Sequence, residues 1–233
     1  AAGRILSVVP KQGEAVEDLV RAGILTRRGG QLREHLAGCV TFPIAPVAGG
    51  GPEGGVVGFY GRRVQGNGPT HLYLEGTHRG VWNAPAIAAY DVVLLTEAVI
   101  DALSAWILGY PNAVSLYGTS GLTADHVALF ADAAREGRLR EIGLAVDNDP
   151  AGDQAAARLA QVLPERLGAH MPQLSRLHVP KLEGVTDVNE YLVKTPGTLE
   201  EKRIAFAALF EAREVLREAP PPAAVDDVAG DAC

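Results

Sequence analysis

Several common protein classes are excluded by what the 233-residue sequence lacks. It has two cysteines, Cys39 and Cys233, far apart and without a C-x-x-C neighbour. A disulfide framework and a cysteine-based zinc site are therefore not expected, and a reducing cytoplasm fits. No apolar run approaches the roughly 20 residues that span a bilayer. The opening AAGRILSVVPKQ has no basic segment followed by a long apolar core, so it is not a signal peptide. It also has no initiator Met, which suggests an excised core. No G-x-x-x-x-G-K-[ST] loop occurs, so a helicase motor is not expected. No heptad or exposed apolar stripe is legible, and a monomer is the expectation. Lysine is scarce, and aromatics make up only 6% of residues.

What remains is an ordinary globular composition, 47% hydrophobic, long enough for one large or two small domains. The net charge of −7 argues against a generally sticky nucleic-acid binder. That charge is uneven. Residues 1–90 carry nine basic and six acidic residues, a balance of +3, whereas 91–233 carry twelve and twenty-two, a balance of −10. A basic half beside an acidic half suits a protein that holds a polyanion with one part and a cation with the other. Chance asymmetry plus an acidic tail accounts for the same numbers.

Periodicity divides the chain. Residues 14–25 predict a short amphipathic helix, with Val16, Leu19, Val20 and Ile24 at helical spacing. Arg27, Arg28, Gly29 and Gly30 read as a loop. CVTFPI (39–44), VVGFYGRR (56–63) and THLYLEG (70–76) read as strands, the first two joined by a glycine-rich hairpin loop. Residues 1–88 thus form a small α+β subdomain. From residue 91 the pattern alternates. VVLLT (92–96), AVSLYG (113–118), IGLAVD (142–147) and LSRLHVP (174–180) are buried strands. Helices over 98–109 and 124–136, and one starting at Pro150, lie between them; Thr123 and Asp149 are their N-caps where a cap is legible. This is an α/β pattern, a parallel sheet flanked by helices, over 89–197. A terminal helix is expected over 198–219, and a disordered acidic tail or linker over 220–233.

Ligands bind at the carboxyl ends of the strands in such a sheet. The first strand there delivers Glu97, the third Asp147 and Asp149, and the fourth is followed by Asp187, Asn189 and Glu190. The second delivers Gly118, Thr119 and Ser120. Asp101 lies four residues after Glu97 on the same helical face, among apolar neighbours that predict its burial. Clustered carboxylates raise one another's pKa unless a cation sits among them. An oxygen-only set selects a hard metal, Mg²⁺ or Mn²⁺. Taken singly, each acid has a plain structural reading: Glu97, Asp149 and Asp187 as helix caps, Asp101 as a buried polar contact. His126 reads as a first-turn surface residue, and Trp82 and Trp106 as core.

The order TEAVIDALSA, SLYGTSGLTADH, LAVDNDPAGDQAA, TDVNEYL resembles the Toprim domain shared by bacterial primases, topoisomerases and some nucleases. Its hallmark is a Glu after the first strand and a D-x-D after a later one, here Glu97 and Asp147/Asp149. HLAGCVTFPI, GGVVGFYGRR and HLYLEG resemble the N-terminal subdomain of the bacterial-type primase catalytic core. The resemblance spans roughly residues 20–195 and is nearest to primase-like proteins of phages, plasmids and other mobile elements. Two departures stand out. Ala98 occupies the position of the family's usual Gly after the catalytic Glu, and the zinc-binding domain of primases is absent.

The resemblance implies metal-dependent RNA primer synthesis on a single-stranded DNA template from NTPs, with a replicative helicase as a further partner. Asp147 and Asp149 would hold the metals, with Asp187 as an additional ligand. Glu97 would be general base or bridging ligand, supported by Asp101. Arg62, Arg63, Arg79 and His71 would contact template or triphosphate, and Gly118 and Thr119 would form the loop beside the acids. A Toprim-type nuclease acting on DNA or RNA, or a non-catalytic nucleic-acid-binding module, stays open. A topoisomerase would need a nucleophilic Tyr in a large additional domain, for which the chain has no room.

Overall fold

The computed structural model describes residues 5–47, 55–76, 78–180 and 182–220. The tail expected over 220–233 therefore lies, beyond Pro220, outside the described residues, as does Cys233.

The N-terminal part begins with two short helices, α1 (Ile5–Val8) and α2 (Glu14–Arg21). A hairpin follows, β1 (Leu25–Arg28) and β2 (Gln31–Glu34). Here the loop reading of Arg27 to Gly30 is corrected. Arg27 and Arg28 are strand residues paired with Leu32 and Gln31, and only Gly29 and Gly30 turn, both at positive φ. A two-residue turn with φ above zero at both positions matches the strand twist, which is why two glycines sit there. A three-stranded antiparallel sheet then forms from β3 (Cys39–Ile44), β4 (Gly58–Arg63) and β5 (His71–Tyr73).

After α3 (Pro85–Ala89) the second sheet begins. It contains β6 (Val92–Thr96), β7 (Ala113–Ser115), β8 (Glu141–Ala145), β9 (Gln173–Arg176) and β10 (Glu214–Arg217) in the order β10-β9-β8-β6-β7. The inner pairings β6·β7, β6·β8 and β8·β9 are parallel, and only the edge strand β10 is antiparallel. The helices are α4 (Val99–Ile107), α5 (Ala124–Arg135), α6 (Pro150–Leu167), α7 (Val188–Lys194) and α8 (Leu199–Glu211). β6 and β8 are apolar almost throughout because both faces are covered. One face packs Val93, Leu95, Ile142 and Leu144 against Phe130 and Leu159; the other packs Leu94 and Ala145 against Ala102, Tyr191 and Phe206.

The terminal helix expected over 198–219 ends at Glu211, and Glu214–Arg217 become β10. Arg213 favours this. Its guanidinium sits over the Phe210 ring and grips the carboxylate of buried Glu141 through Nε and Nη2. Burial pushes the Glu141 carboxyl up, but the Arg213 and Ser175 hydrogen bonds more than offset this and leave it below its ordinary value. Opening that pair would leave the buried Glu141 carboxylate without its partner, so the pair favours the turn that carries residues 214–217 onto the sheet edge, where they pair with β9.

His126 is also corrected: it is fully buried, not a surface residue. It takes the N3 place of a capping box with Thr123, and its Nε2 lies 3.0 Å from the Ser115 carbonyl. Trp106, read as core, is 49% exposed on the outer side of α4.

The two parts meet on an apolar joint of Ile44 and Tyr60 against Ala98 and Val99, flanked by Tyr73 and Tyr117. The Tyr73 hydroxyl donates to the Leu116 carbonyl across it, at 3.2 Å. This joint fixes the basic β4–β5 face against the carboxyl rim of the parallel sheet.

Candidate active site

The rim is built by three adjacent strands, β6, β8 and β9, which run parallel and so end on one side. Glu97 leaves β6, Asp147 and Asp149 leave β8, and the connection after β9 leads to Asp187. The backbone N–H of Asp147 donates to Glu97 Oε1 at 3.2 Å, tying the first two strand ends together. Asn148, between the two aspartates, ties the third. Its N–H donates to the Thr186 carbonyl (2.7 Å) and its side-chain amide to the Val179 carbonyl (2.8 Å).

Asp149 and Asp187 each cap a helix. Asp149 Oδ1 accepts from Gly152 N–H at 2.8 Å, and Asp187 Oδ1 accepts from Glu190 N–H at 2.6 Å. Capping occupies one oxygen and leaves the other for a ligand. Asp101 lies beneath the rim, only 4% exposed, where its Oδ1 accepts from Asn189 N–H at the start of α7. Ala98 is accommodated because its φ of −133° is an extended value that any residue adopts. Gly118 is at φ +85°, and its N–H donates to the Glu97 carbonyl at 2.9 Å. Its role in the rim is thus to hold Glu97's backbone. The Thr119 carbonyl accepts from Arg158.

The carboxylates of the rim are crowded against one another. Burial, then the charges of Glu97, Asp187 and Asp149, push the Asp147 carboxyl up to about 7. Burial comes first for Glu97, Asp101 and Asp187 as well, and neighbouring acids add to it; all three are raised. A carboxylate cluster that resists ionisation gains by taking up a hard divalent ion. Among the described residues no three of these groups converge closely enough to enclose an ion by themselves. An ion held here would have to take most of its ligands from water or substrate oxygens, as Mg²⁺ commonly does.

The basic face divides. Arg62 reaches the rim, where its charge lowers both Asp101 and Asp187. It donates to His71 Nε2, which leaves Nδ1 as the protonated nitrogen, 2.9 Å from the Tyr60 hydroxyl. Burial and the Arg62 charge hold the His71 pKa below its ordinary value, so the ring stays neutral and keeps Arg62 in place. Arg63 is the next residue on β4 and points to the other face. Its guanidinium donates from Nε to the Pro69 carbonyl (2.9 Å) and from Nη1 to the Ala37 carbonyl (3.1 Å), bracing two turns. Arg79 is exposed beside the joint.

Two rim residues escaped the sequence reading. Arg176 on β9 is buried, pairs with Asp153 at 2.6 Å and donates to the Asp147 carbonyl at 3.3 Å, and its charge lowers Glu97. A lone Arg within an apolar strand was the available signal. Gly152 is the other: a Cβ there would lie 1.8 Å from the Asp147 carbonyl oxygen, so only glycine lets α6 start so close to the acids.

Residues 94–192 match the Toprim-like protein family. No curated protein matches the chain at the level of sequence. Among solved structures, the DnaG catalytic core superposes with a TM-score of 0.69 at 24% identity, covering 92% of this chain and 65% of that one. A DNA primase domain from Pseudomonas aeruginosa gives 0.68 at 22%, covering 93% and 64%. The DnaG primase catalytic domain bound to single-stranded DNA gives 0.68 at 22%, covering 92% and 64%. The chain thus spans slightly less than two thirds of these relatives. These superpositions and the family match give one conclusion: the chain has the fold of a primase catalytic core, with a Toprim-like domain over residues 94–192.

Proposed function

We propose that the chain is the catalytic core of a DNA primase that joins NTPs into RNA on a single-stranded DNA template. The observation that carries this reading is the gathering of Glu97, Asp147, Asp149 and Asp187 at one strand-end rim that Arg62 faces across the joint between the two sheets. Asp147, Asp149 and Glu97, with Asp187, would hold Mg²⁺ or Mn²⁺, which when bound would neutralise triphosphate charge and lower the pKa of an attacking 3′-hydroxyl. Glu97, whose carboxyl is pushed above its ordinary value by burial and whose Oε1 accepts from Asp147 N–H, would serve as the general base. Arg62, held by neutral His71, supplies positive charge for the triphosphate or template phosphates. Asp101 positions α7 and through it Asp187.

The test supplies single-stranded DNA, labelled NTPs and Mg²⁺ or Mn²⁺, with and without a pre-annealed RNA primer, to the chain and to Glu97→Gln. Metal-dependent RNA products lost in the variant support the proposal. Shortened DNA without RNA product would replace it with a nuclease, and neither activity would leave a binding module.

Arg62→Ala is expected to weaken binding of single-stranded DNA or NTP about tenfold, the scale of a hydrogen bond to a charged group. His71→Ala should reproduce part of that loss, and the double variant should be no worse than Arg62→Ala, because both changes remove one arrangement. Unchanged affinities for both ligands in Arg62→Ala would remove Arg62 from the mechanism.

A further inference from the structure

A cavity of about 210 Å³ opens where the small sheet meets the parallel one, and four aromatic residues line it, Phe59 and three whose rings touch one another. His78 lies flat on Tyr117, with centroids 4.5 Å apart and planes 10° apart. Tyr73 closes on both, at 5.4 Å from His78 and 4.9 Å from Tyr117. The Tyr117 ring is held before any ligand arrives, because its hydroxyl donates to the backbone carbonyls of Arg79 (2.6 Å) and Gly80 (3.1 Å). Arg21 and Arg79 also line the cavity, and Arg79 lines a second cavity beyond it with Ser120 and Thr123. Tyr117 directly precedes Gly118, whose N–H bonds the Glu97 carbonyl, so the rings adjoin the acid rim through the backbone.

Aromatic rings that only glue two sheets together are enclosed, whereas here His78 is exposed and Tyr117 only half-buried. The space suits one planar ring system rather than a whole nucleotide, and Arg79 stands at its border, with Glu75 and with Arg21, itself paired to Asp18, beside it. Aromatic faces beside arginines are how proteins hold unpaired bases.

We propose that the Tyr73–His78–Tyr117 cavity is a stacking subsite for one unpaired nucleobase, with Arg79 at its border meeting the attached phosphate. This rests on the primase reading and deepens it: the subsite holds either a template base or the base of an incoming nucleotide next to the acids. The shared chemistry is a nucleobase joined to a phosphate.

The experiment measures anisotropy in Mn²⁺ with each probe supplied alone, so that no template and nucleotide meet and binding is read without catalysis. The probes are a fluorescein-labelled 12-nucleotide single strand, the same strand with abasic sites, and N-methylanthraniloyl-ATP. The full chain is compared with His78→Ala, Tyr117→Leu and Tyr117→Phe, each checked by circular dichroism melting. Loss of one stacked base should weaken binding about tenfold in His78→Ala and Tyr117→Leu. Tyr117→Phe, which keeps the ring and loses only the hydroxyl, should stay within about threefold. A loss confined to the intact strand, absent with the abasic one, assigns a template base; a loss confined to the ATP probe assigns the incoming nucleotide. Unchanged affinity for both probes in Tyr117→Leu overturns the subsite, as does a Tyr117→Phe defect equal to that of Tyr117→Leu. If the unaltered chain binds neither probe, the primase reading fails and the subsite with it. Binding by the unaltered chain with unaffected variants removes the subsite alone.

Discussion

Asp147→Asn is expected to stabilise the metal-free protein at neutral pH while reducing nucleotide incorporation by about a thousandfold or more, the scale of losing several kcal/mol of charge stabilisation at the reacting centre. The two effects have one origin. In the folded chain the Asp147 carboxyl is pushed up to about 7 by burial and by the charges of Glu97, Asp187 and Asp149. In the unfolded chain it titrates near the ordinary value of about 3.9. Between about pH 4 and pH 7 the folded state therefore keeps a proton that the unfolded state has released. Stability must fall as pH rises through that window, and the penalty is complete above it. The raised Glu97 and Asp187 act with the same sign. Thermal melts at pH 5, 6, 7 and 8 in EDTA should show the midpoint of the unaltered chain falling with pH and recovering on addition of Mg²⁺ or Mn²⁺. Asp147→Asn should flatten that slope and shrink the recovery. A variant that melts lower than the unaltered chain at pH 8, with a parallel pH profile, would mean that Asp147 is not electrostatically strained.

Gly152→Ala is expected to lower activity about a hundredfold or more without touching a single charge. The added Cβ would stand 1.8 Å from the Asp147 carbonyl oxygen and 2.6 Å from its carbonyl carbon. Both are backbone atoms, so no side-chain rotation relieves the clash. Either the start of α6 moves away or the Asp147 backbone does. The first breaks the Gly152 N–H to Asp149 Oδ1 cap, and the second displaces the Asp147 N–H from Glu97 Oε1. A displacement near 1 Å in a reacting constellation costs about a hundredfold or more, and overpacking costs about 1–3 kcal/mol of stability. Ala151→Ser, at the exposed neighbouring position, should leave activity and melting temperature nearly unchanged. Isothermal titration with Mn²⁺ separates the causes: Gly152→Ala should lose Mn²⁺ affinity even where circular dichroism shows a folded protein. Full activity in Gly152→Ala would show that the close approach of α6 to Asp147 is not needed.

Where side-chain periodicity and local chemistry decide structure, the sequence was sufficient. Apolar runs at 92–96 and 142–145 could only be strands covered on both faces. Thr123, Asp149 and Asp187 cap helices because their short oxygens reach an N–H three residues on, a contact complete within one turn. Alternating strands and helices then bring Glu97, Asp147 and Asp149 to one edge by the handedness of parallel crossovers.

Other features rest on partners far along the chain, which no local pattern encodes. β10 is favoured by the grip of Arg213 on Glu141, 72 residues away. His126 is buried because Ser115 offers a carbonyl to its far nitrogen. Arg62 and Arg63 look alike in sequence, yet the pleat sends one toward the acid rim and the other to the Pro69 and Ala37 carbonyls. That Glu97, Asp147 and Asp149 gather at one rim was legible in residue identity and strand order alone. Which arginine meets that rim, how strongly Asp147 resists ionisation and why Gly152 cannot change were decided only by packing. Burial and close approach depend on atoms brought together from distant segments, and these terms are absent until the chain has folded.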